Sequence, residues 1–262
     1  MKLHVRESGV PTGLPVILLH AFPLSGEMWQ PQREALRTFR VLAPDMRGFG
    51  RSPLVAPFLI EHMVDDILET LDGLGVKKAV FVGNSMGGYV ALRLAEKAPE
   101  RVRALILCDT RAEADGNEAK LKRAATIELV RTKGLSAFAE PFLQGALAPR
   151  TLSGSPMAVE FLRQMILRAQ PEAVMNALLA LASRTETLPS LSSFRFPTLI
   201  LVGSLDSLTP LACSETLRGR IVGSELQIIP DAGHFPSVEN SKAFDGAVSA
   251  FLAQLAPSGD RV

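Results

Sequence analysis

The chain has 262 residues, of which 47% are hydrophobic and 21% are charged, and its formal net charge at pH 7 is +1. This composition is typical of a globular protein, large enough for one α/β domain or for a core with an insertion. The near-neutral charge argues against a nucleic-acid partner, because no excess of basic residues is available for a phosphate backbone. No apolar stretch reaches about 18 residues, so a membrane-spanning helix is not expected.

The N-terminal residues and the cysteines bear on the cellular compartment. Residues 1–8 mix charged and apolar side chains and lack the apolar core of a signal peptide. The two cysteines, Cys108 and Cys213, are too few for a disulfide framework and lack the spacing of metal ligands. We therefore expect a cytoplasmic protein with two unreactive thiols and no membrane partner.

The first half of the chain alternates predicted strands with predicted helices. A helical spacing of apolar residues over 60–74 predicts a helix that ends at Gly75. Short apolar or alternating runs predict strands at residues 2–8, 16–20, 40–43, 79–82 and 104–108. Most of these runs are continuously apolar, as expected of strands that are buried on both faces. Repeated strand–helix units predict an α/β fold with a mainly parallel sheet flanked by helices.

The alternation stops at about Thr110 and resumes after about Leu191. Between them the sequence favours helices at residues 119–132, 135–143, 157–169 and 172–183, punctuated by prolines. About eighty residues without a strand are too many for a loop and indicate an all-helical insertion. We therefore predict a first core part at residues 1–110, an insertion at 111–191 and a second core part at 192–262.

The second core part is short. Strands are predicted at residues 198–202 and 226–229, and an amphipathic helix is predicted from Ala243 to Leu255. The residues after Pro257 are expected to form a frayed tail.

A candidate nucleophile lies between the predicted strand at 79–82 and the helix that follows it. Gly83-Asn84-Ser85-Met86-Gly87 matches G-x-S-x-G in the strand–turn–helix setting that the pattern requires. Such a turn strains the serine backbone and pushes its hydroxyl above the sheet edge. It also aims the first N–H groups of the helix at the group that the serine attacks. Taken alone, the pattern is equally compatible with a small residue in a tight turn.

Two further residues strengthen this interpretation. Asp206 follows the predicted strand at 198–202, and His234 follows the predicted strand at 226–229. Both therefore lie at the carboxyl ends of strands, where open α/β sheets bind ligands. The chain order Ser85, Asp206, His234 is the nucleophile–acid–base order of α/β-hydrolases. From about Val16 to about Leu255 the chain resembles the cofactor-independent α/β-hydrolases with a helical cap, and is similar to the bacterial esterase, enol-lactonase and perhydrolase-like group.

The resemblance implies a site and a cap. Ser85, Asp206 and His234 would form the catalytic triad, the helical insertion would cover it, and no metal or organic cofactor would be needed. The oxyanion hole would use the backbone N–H groups of Met86 and Phe22, the latter in the loop His20-Ala21-Phe22-Pro23. The family usually has glycine where this chain has Ala21.

Several other polar residues have structural or rival interpretations. Asp109 occupies a position that carries the catalytic acid in some relatives, so it is a rival to Asp206. By the resemblance His20 organises the oxyanion loop. Arg47 and Arg51 are interpreted as loop braces, with substrate clamps as the alternative. Arg111 could meet a substrate carboxylate, but a hinge or surface ion pair is the simpler interpretation. Apolar side chains of the insertion are either core or acyl-pocket residues: Phe138, Phe142, Leu143, Met157, Phe161 and Met165.

The resemblance implies a hydrolase acting on a small ester or lactone through an acyl-enzyme on Ser85. The same triad also serves C–C bond hydrolases, perhydrolases and thioesterases, although the oxyanion loop lacks the longer glycine-rich form usual in C–C hydrolases. A non-catalytic ligand-binding module is the remaining alternative. The expected partner is a small-molecule substrate, and the oligomeric state is left open.

Overall fold

The structure is a computed structural model that describes residues 1–255. Seven strands form one sheet in the order β1-β3-β2-β4-β5-β6-β7. All neighbouring strands are parallel except the edge pair β1 and β3, which is antiparallel. The strands are β1 (Val5–Gly9), β2 (Pro15–Leu19), β3 (Arg40–Pro44), β4 (Ala79–Asn84), β5 (Val102–Cys108), β6 (Thr198–Gly203) and β7 (Glu225–Ile229).

The centre of the sheet is the core of the molecule. Every residue of β4 and β6 is buried, which explains why these strands read as continuous apolar runs. The first strand begins three residues later than predicted. The N–H groups of Leu3 and His4 bond to the Thr70 and Ser52 hydroxyls instead of to a neighbouring strand.

Within residues 1–255, ten α-helices accompany the sheet, together with three short 3₁₀ helices at Gly26–Trp29, Pro99–Arg101 and Leu188–Ser193. Helix α3 packs against β2, β4 and β5, α2 packs against α3, and α8 packs against β6 and β7. The helices are α1 (Gln32–Ala35), α2 (Ile60–Gly73), α3 (Met86–Lys97), α4 (Asn117–Ala146), α5 (Pro149–Gly154), α6 (Pro156–Arg168), α7 (Pro171–Ser183), α8 (Leu211–Arg220), α9 (Pro236–Glu239) and α10 (Ser241–Leu255).

Four helices, α4 to α7, fill the chain between β5 and β6, and within the described residues this stretch holds no strand. Helix α4 packs against α6 and α7. It is broken at Gly134, whose φ of 75° and ψ of −179° are non-helical, between the two helices predicted there. The six-residue α5 was not predicted, because one and a half turns give too little periodicity to detect.

The predicted fold class is confirmed: the protein has an α/β fold with a mainly parallel sheet and helices packed on it. The division at residues 110 and 191 stays a prediction. The expected tail after Pro257 lies outside the described residues. None of the helices within residues 1–255 is both long enough and apolar enough to cross a membrane.

Candidate active site

Ser85 lies on a strained turn between β4 and α3. Its backbone has φ 52° and ψ −112°, a conformation that residues with a side chain rarely adopt. Its N–H donates to the Cys108 carbonyl at 2.9 Å, and its carbonyl accepts from the Thr110 hydroxyl at 2.9 Å. These bonds to the neighbouring strand and its loop hold the turn in place and leave the serine half-buried at the carboxyl end of the sheet.

The glycines of the motif are required by close approach. A Cβ atom at Gly83 would lie 2.4 Å from the Gly87 carbonyl oxygen, and one at Gly87 would lie 2.1 Å from the Leu19 carbonyl oxygen. Both contacts are with backbone atoms, which cannot move aside. Helix α3 therefore begins directly against β2, with Ser85 at the junction.

His234 and Asp206 form a buried hydrogen-bonded pair. The His234 Nδ1 and Asp206 Oδ2 atoms are 3.0 Å apart. The other lone pairs of Asp206 accept from the Thr209 hydroxyl and from the N–H groups of Leu208 and Thr209. Burial by itself raises the pKa of Asp206, but the attraction of His234 and these hydrogen bonds outweigh it and hold the pKa well below its usual range. Asp206 is therefore an ionised carboxylate at neutral pH.

Asp109, the rival acid, is also close to the pair. It is fully buried, with a positive φ of 43°, and its Oδ1 accepts from the Gly203 N–H at 2.8 Å. One side-chain atom of Asp109, one of Asp206 and one of His234 all lie within 4.8 Å of one another. Burial and the nearby Asp206 carboxylate raise the pKa of Asp109 well above its usual range. The pKa values of the two aspartates are therefore shifted in opposite directions, downward for Asp206 and upward for Asp109.

Asp109, Asp206 and His234 are residue types that bind metal ions, but their side-chain atoms make hydrogen bonds within the protein. Asp206 accepts four hydrogen bonds from the protein, and Asp109 Oδ2 accepts from the Cys108 thiol at 2.9 Å. These bonds favour a hydrogen-bonded cluster over a cation site. Burial also raises the pKa of the Cys108 thiol, as expected of an unreactive cysteine.

Two backbone donors lie near Ser85. Met86 is the first residue of α3, and Phe22 lies in the loop after β2 and lines the same cavity as Ser85. Within the part of the chain that the structure describes, neither N–H has a hydrogen-bond acceptor. Ala21, where the family usually has glycine, is buried and is accommodated without a positive φ.

His20 fixes the loop that carries Phe22. Its Nε2 accepts from the Met46 N–H at 2.9 Å, and its Nδ1 lies 3.0 Å from the Ala21 carbonyl. Burial lowers the pKa of His20 to about 4, so the ring is neutral and donates from Nδ1. Both nitrogens are occupied, in agreement with a loop-organising role.

Arg47 and Arg51, the two predicted loop braces, differ in which of their atoms contact the loop. Arg47 is buried and makes two hydrogen bonds to the Asp66 carboxylate, at 2.6 and 2.8 Å. Arg51 is exposed, and its contribution to the loop is its backbone N–H, which donates to Asp45 Oδ2 at 2.9 Å. Arg47 is therefore a brace through its side chain, and Arg51 through its backbone.

Two residues that sequence reasoning missed hold the histidine loop. Glu239 Oε1 accepts from the N–H groups of Gly233 and Phe235, on either side of His234, each at 3.0 Å. Its Oε2 accepts from the Ala148 N–H at 2.8 Å, so the same carboxylate also binds the segment after α4. Asn84 Nδ2 donates to the His234 carbonyl at 3.2 Å. No motif marks these roles.

A cavity of about 370 Å³ lies between the carboxyl end of the sheet and helices α4 and α7. Ser85, His234 and Phe22 line it from the core, and Phe138 and Phe142 line it from α4. The Phe22 ring lies 6.1 Å from that of Phe138 and 6.2 Å from that of Phe142. The volume is near the lower end of the range of about 300–1,000 Å³ for small-molecule sites.

The other apolar residues considered for the pocket lie elsewhere. Leu143 and Met165 are buried, Phe161 is half-buried, and none of the three is among the residues that line this cavity. Met157 is 85% exposed and belongs to neither core nor pocket. Helical spacing alone could not distinguish pocket, core and surface positions, because all six residues follow the apolar spacing of the predicted helices.

A larger depression of about 590 Å³ lies at the opposite edge of the sheet, near Lys78, Val102 and Pro197. These residues adjoin the amino ends of β4, β5 and β6, whereas open α/β sheets bind ligands at the carboxyl ends. The smaller cavity beside Ser85 is therefore the candidate site.

The sequence model of the α/β-hydrolase fold matches residues 15–241. The chain belongs to the α/β-hydrolase family. Among solved structures, a thermophilic esterase from Thermogutta terrifontis, determined with malate bound, has a TM-score of 0.93 and 40% identity to this α/β-hydrolase. The match covers 97% of this chain and 94% of that one.

Two further relatives bear on the type of reaction. The 3-oxoadipate enol-lactonase 2 of Acinetobacter baylyi is 32% identical to this α/β-hydrolase, over 87% of this chain and 84% of its own. A protein of Variovorax paradoxus that carries a provisional name as a carbamate hydrolase is 30% identical, over 99% of both chains. The family and these relatives identify the protein as a hydrolase.

Proposed function

We propose that this α/β-hydrolase cleaves a small carboxylic ester or lactone through an acyl-enzyme on Ser85. His234 would act as general base and then as general acid, and Asp206 would orient it. One observation carries the proposal: the ionised Asp206 binds His234 Nδ1 at 3.0 Å beside a cavity that Ser85 and His234 both line. The esterase and enol-lactonase relatives support the substrate class.

The reaction follows from these positions. Because Asp206 accepts a hydrogen bond from the Nδ1–H group, His234 has Nε2 available to take the proton of the Ser85 hydroxyl. The serine oxygen attacks the carbonyl carbon, and the alcohol leaves with the proton from His234. A water molecule, activated by the same histidine, then releases the acid. In a lactone the leaving hydroxyl stays attached to the acyl group.

The oxyanion of each tetrahedral intermediate would accept hydrogen bonds from the N–H groups of Phe22 and Met86. Both groups lack an acceptor within the described residues, which supports this role. A donor that is fixed before the reaction stabilises developing charge without reorganisation. Residues 111–191 would form the cap, with Phe138 and Phe142 as an apolar wall for the acyl group.

The mechanism proposed here uses no metal and no organic cofactor, and its partner is a small molecule. C–C cleavage, perhydrolysis and thioester cleavage remain alternatives that the same triad could serve. Thioester and C–C cleavage differ from ester cleavage in the substrate, so a substrate panel separates them. Perhydrolysis differs in the second step, where hydrogen peroxide instead of water takes up the acyl group, and adding hydrogen peroxide to the assay tests it.

The test combines labelling with turnover. A fluorophosphonate should label the wild-type protein with one equivalent at Ser85, and Ser85→Ala should not react. The panel should contain aryl esters of graded acyl length, lactones, enol-lactones, a thioester and an aryl carbamate. Labelling at another residue, or turnover by Ser85→Ala at more than a few per cent of wild type, would remove Ser85 from its role.

A further inference from the structure

The cavity beside Ser85 carries an excess of positive charge. Three basic side chains, Arg111, Lys122 and Arg123, line it together with a single acidic one, Asp115. Asp115 is fully engaged, because Arg123 and Arg184 both bind its carboxylate. Within the described residues, the cavity thus presents cations and no available anion.

Two of the three cations are already paired. Lys122 forms an exposed ion pair with Glu118 at 2.8 Å, and Arg123 binds Asp115. Arg111 differs, because no carboxylate of the described residues lies within ion-pair distance of it. Its guanidinium donates through Nη2 to the Leu208 carbonyl oxygen. A guanidinium has five N–H donors in a planar fork that matches a carboxylate, so most of its capacity is unused.

Arg111 lies close to the residues proposed to carry out the reaction. Leu208, which holds its guanidinium, belongs to the loop of Asp206 and donates its own N–H to Asp206 Oδ1 at 2.8 Å. Arg111 also lies just beyond β5, whose last residue pairs with Asn84 beside Ser85. The cation is therefore fixed at the rim of the same small cavity as the nucleophile.

We infer that the natural substrate carries a carboxylate and that Arg111 binds it, so the protein prefers anionic esters or lactones. The inference rests on the proposed function, whose substrate class it narrows. Arg111 would be a specificity-determining residue: it holds the substrate acid group while Ser85 attacks the ester carbonyl. A neutral ester of the same size would leave the guanidinium without a partner.

A matched pair of substrates tests this. Mono-p-nitrophenyl glutarate and p-nitrophenyl valerate have acyl chains of the same length and differ in a terminal carboxylate against a methyl group. After subtraction of the rate without enzyme, wild type should cleave the glutarate with a kcat/KM at least about tenfold higher. Arg111→Gln should lower kcat/KM on the glutarate by about 10- to 100-fold, mainly through KM, and change the valerate by less than about threefold.

Matched variants separate specificity from a bracing role. Lys120→Gln removes an exposed lysine of α4 that does not line the cavity, and should have little effect on either ester. Arg111→Lys keeps the charge without the fork and should recover part of the preference. If Arg111 only braces Leu208, both esters will lose activity equally in Arg111→Gln, and the inference is wrong.

The wild-type preference for the glutarate over the valerate ester is a second test of the inference. Equal cleavage of both esters by wild type would overturn the inference and leave the proposed function standing, since the valerate is still hydrolysed. Failure to cleave either ester, together with no fluorophosphonate labelling, would overturn both.

Discussion

Asp109 and Asp206 place side-chain oxygens within 4.8 Å of each other, yet the hydrogen bond to His234 belongs to Asp206. The two carboxyl groups end neighbouring strands, β5 and β6, and like charges so close cannot both be ionised at low cost. The lowered pKa of Asp206 and the raised pKa of Asp109 resolve this conflict. The shifts favour the negative charge on Asp206, the carboxylate that binds the histidine.

We expect the substitution of aspartate by asparagine to lower kcat much more at Asp206 than at Asp109. Asp206→Asn should lower kcat by roughly 10⁴, because an amide favours the wrong imidazole tautomer. Asp109→Asn should lower it by less than about tenfold, since the hydrogen bonds of Asp109 are to Cys108 and Gly203 and the bond to His234 is made by Asp206. Both variants should be assayed side by side at neutral pH, after circular dichroism shows that they are folded. An inactive Asp109→Asn beside a nearly normal Asp206→Asn would make Asp109 the catalytic acid.

The difference in stability between wild type and each variant should change with pH, in opposite directions for the two aspartates. The folded-state pKa of Asp206 is lowered, so its stabilisation is complete above the unfolded value of about 3.9 and is lost as pH falls below it. The folded-state pKa of Asp109 is raised, so its stabilisation is complete below about 3.9 and is lost as pH rises through the raised pKa. Tm should be measured from pH 3 to pH 9.

In those measurements, the Tm advantage of wild type over Asp206→Asn should shrink on acidification. The advantage of wild type over Asp109→Asn should shrink as the pH rises. Differences that are flat across the range would show that neither aspartate has the shifted pKa assigned to it.

The strained turn at Ser85 predicts a gain in stability when it is relaxed. Ser85→Ala and Ser85→Gly should both lose on the order of 10⁶ in kcat. Glycine tolerates a φ of 52°, whereas alanine keeps the strain of about 1–3 kcal/mol. The greater freedom of glycine in the unfolded chain offsets about 0.4–1 kcal/mol of this. We expect Ser85→Gly to melt up to about 5 °C above Ser85→Ala in calorimetry, and a lower Tm for Ser85→Gly would mean that the turn is not strained.

Glu239 should matter for catalysis although it does not reach the cavity. Glu239→Ala removes the acceptor of the N–H groups on both sides of His234. Leaving such groups unpaired costs about 1–3 kcal/mol of stability, and a displaced histidine lowers kcat by up to about 100-fold. Glu225→Ala, on an exposed position of β7, is the control and should change neither quantity. A normal kcat in a destabilised Glu239→Ala would limit Glu239 to a structural role.

The wall of the cavity should set acyl length. Wild type should prefer short acyl chains, because the cavity is small and the rings of Phe138 and Phe142 pack against Phe22. Phe142→Ala should shift the preference of p-nitrophenyl esters to longer chains by two or more carbons, about the volume removed. Phe161→Ala, on α6 and away from the cavity, should leave it unchanged. Faster cleavage of long-chain emulsified triglycerides than of dissolved butyrate by wild type would contradict the small pocket.

Much of the fold was predictable because its signals are local. Continuous apolar runs identified the buried strands, and the glycines around Ser85 marked a turn that tolerates no Cβ atoms at positions 83 and 87. The residues Asp206 and His234 were found because each follows a strand, and parallel strands end at the same sheet edge. Their roles in catalysis stay predictions, but the structure brings them together.

The remaining features depend on contacts between distant residues. Glu239 binds Ala148 from 91 positions away, and nothing in the residues around it marks that partner. The difference between Met157 and Phe142 likewise depends on how the helices pack, because both have the helical spacing of apolar residues. The raised pKa of Asp109 follows from its burial beside Asp206, which a linear sequence does not display.

The loop that carries His234 is hydrogen-bonded to the end of α4 and the start of α5. The His234 N–H donates to the Ala146 carbonyl at 2.8 Å, and Glu239 binds the Ala148 N–H and the Thr151 hydroxyl. Evolution and engineering are therefore constrained unequally along the insertion. We expect the part of α4 between Asn117 and Phe142 to tolerate exchange better than the segment near Ala146, where a shift of one residue would displace the base itself. A transplanted insertion must keep this junction in register.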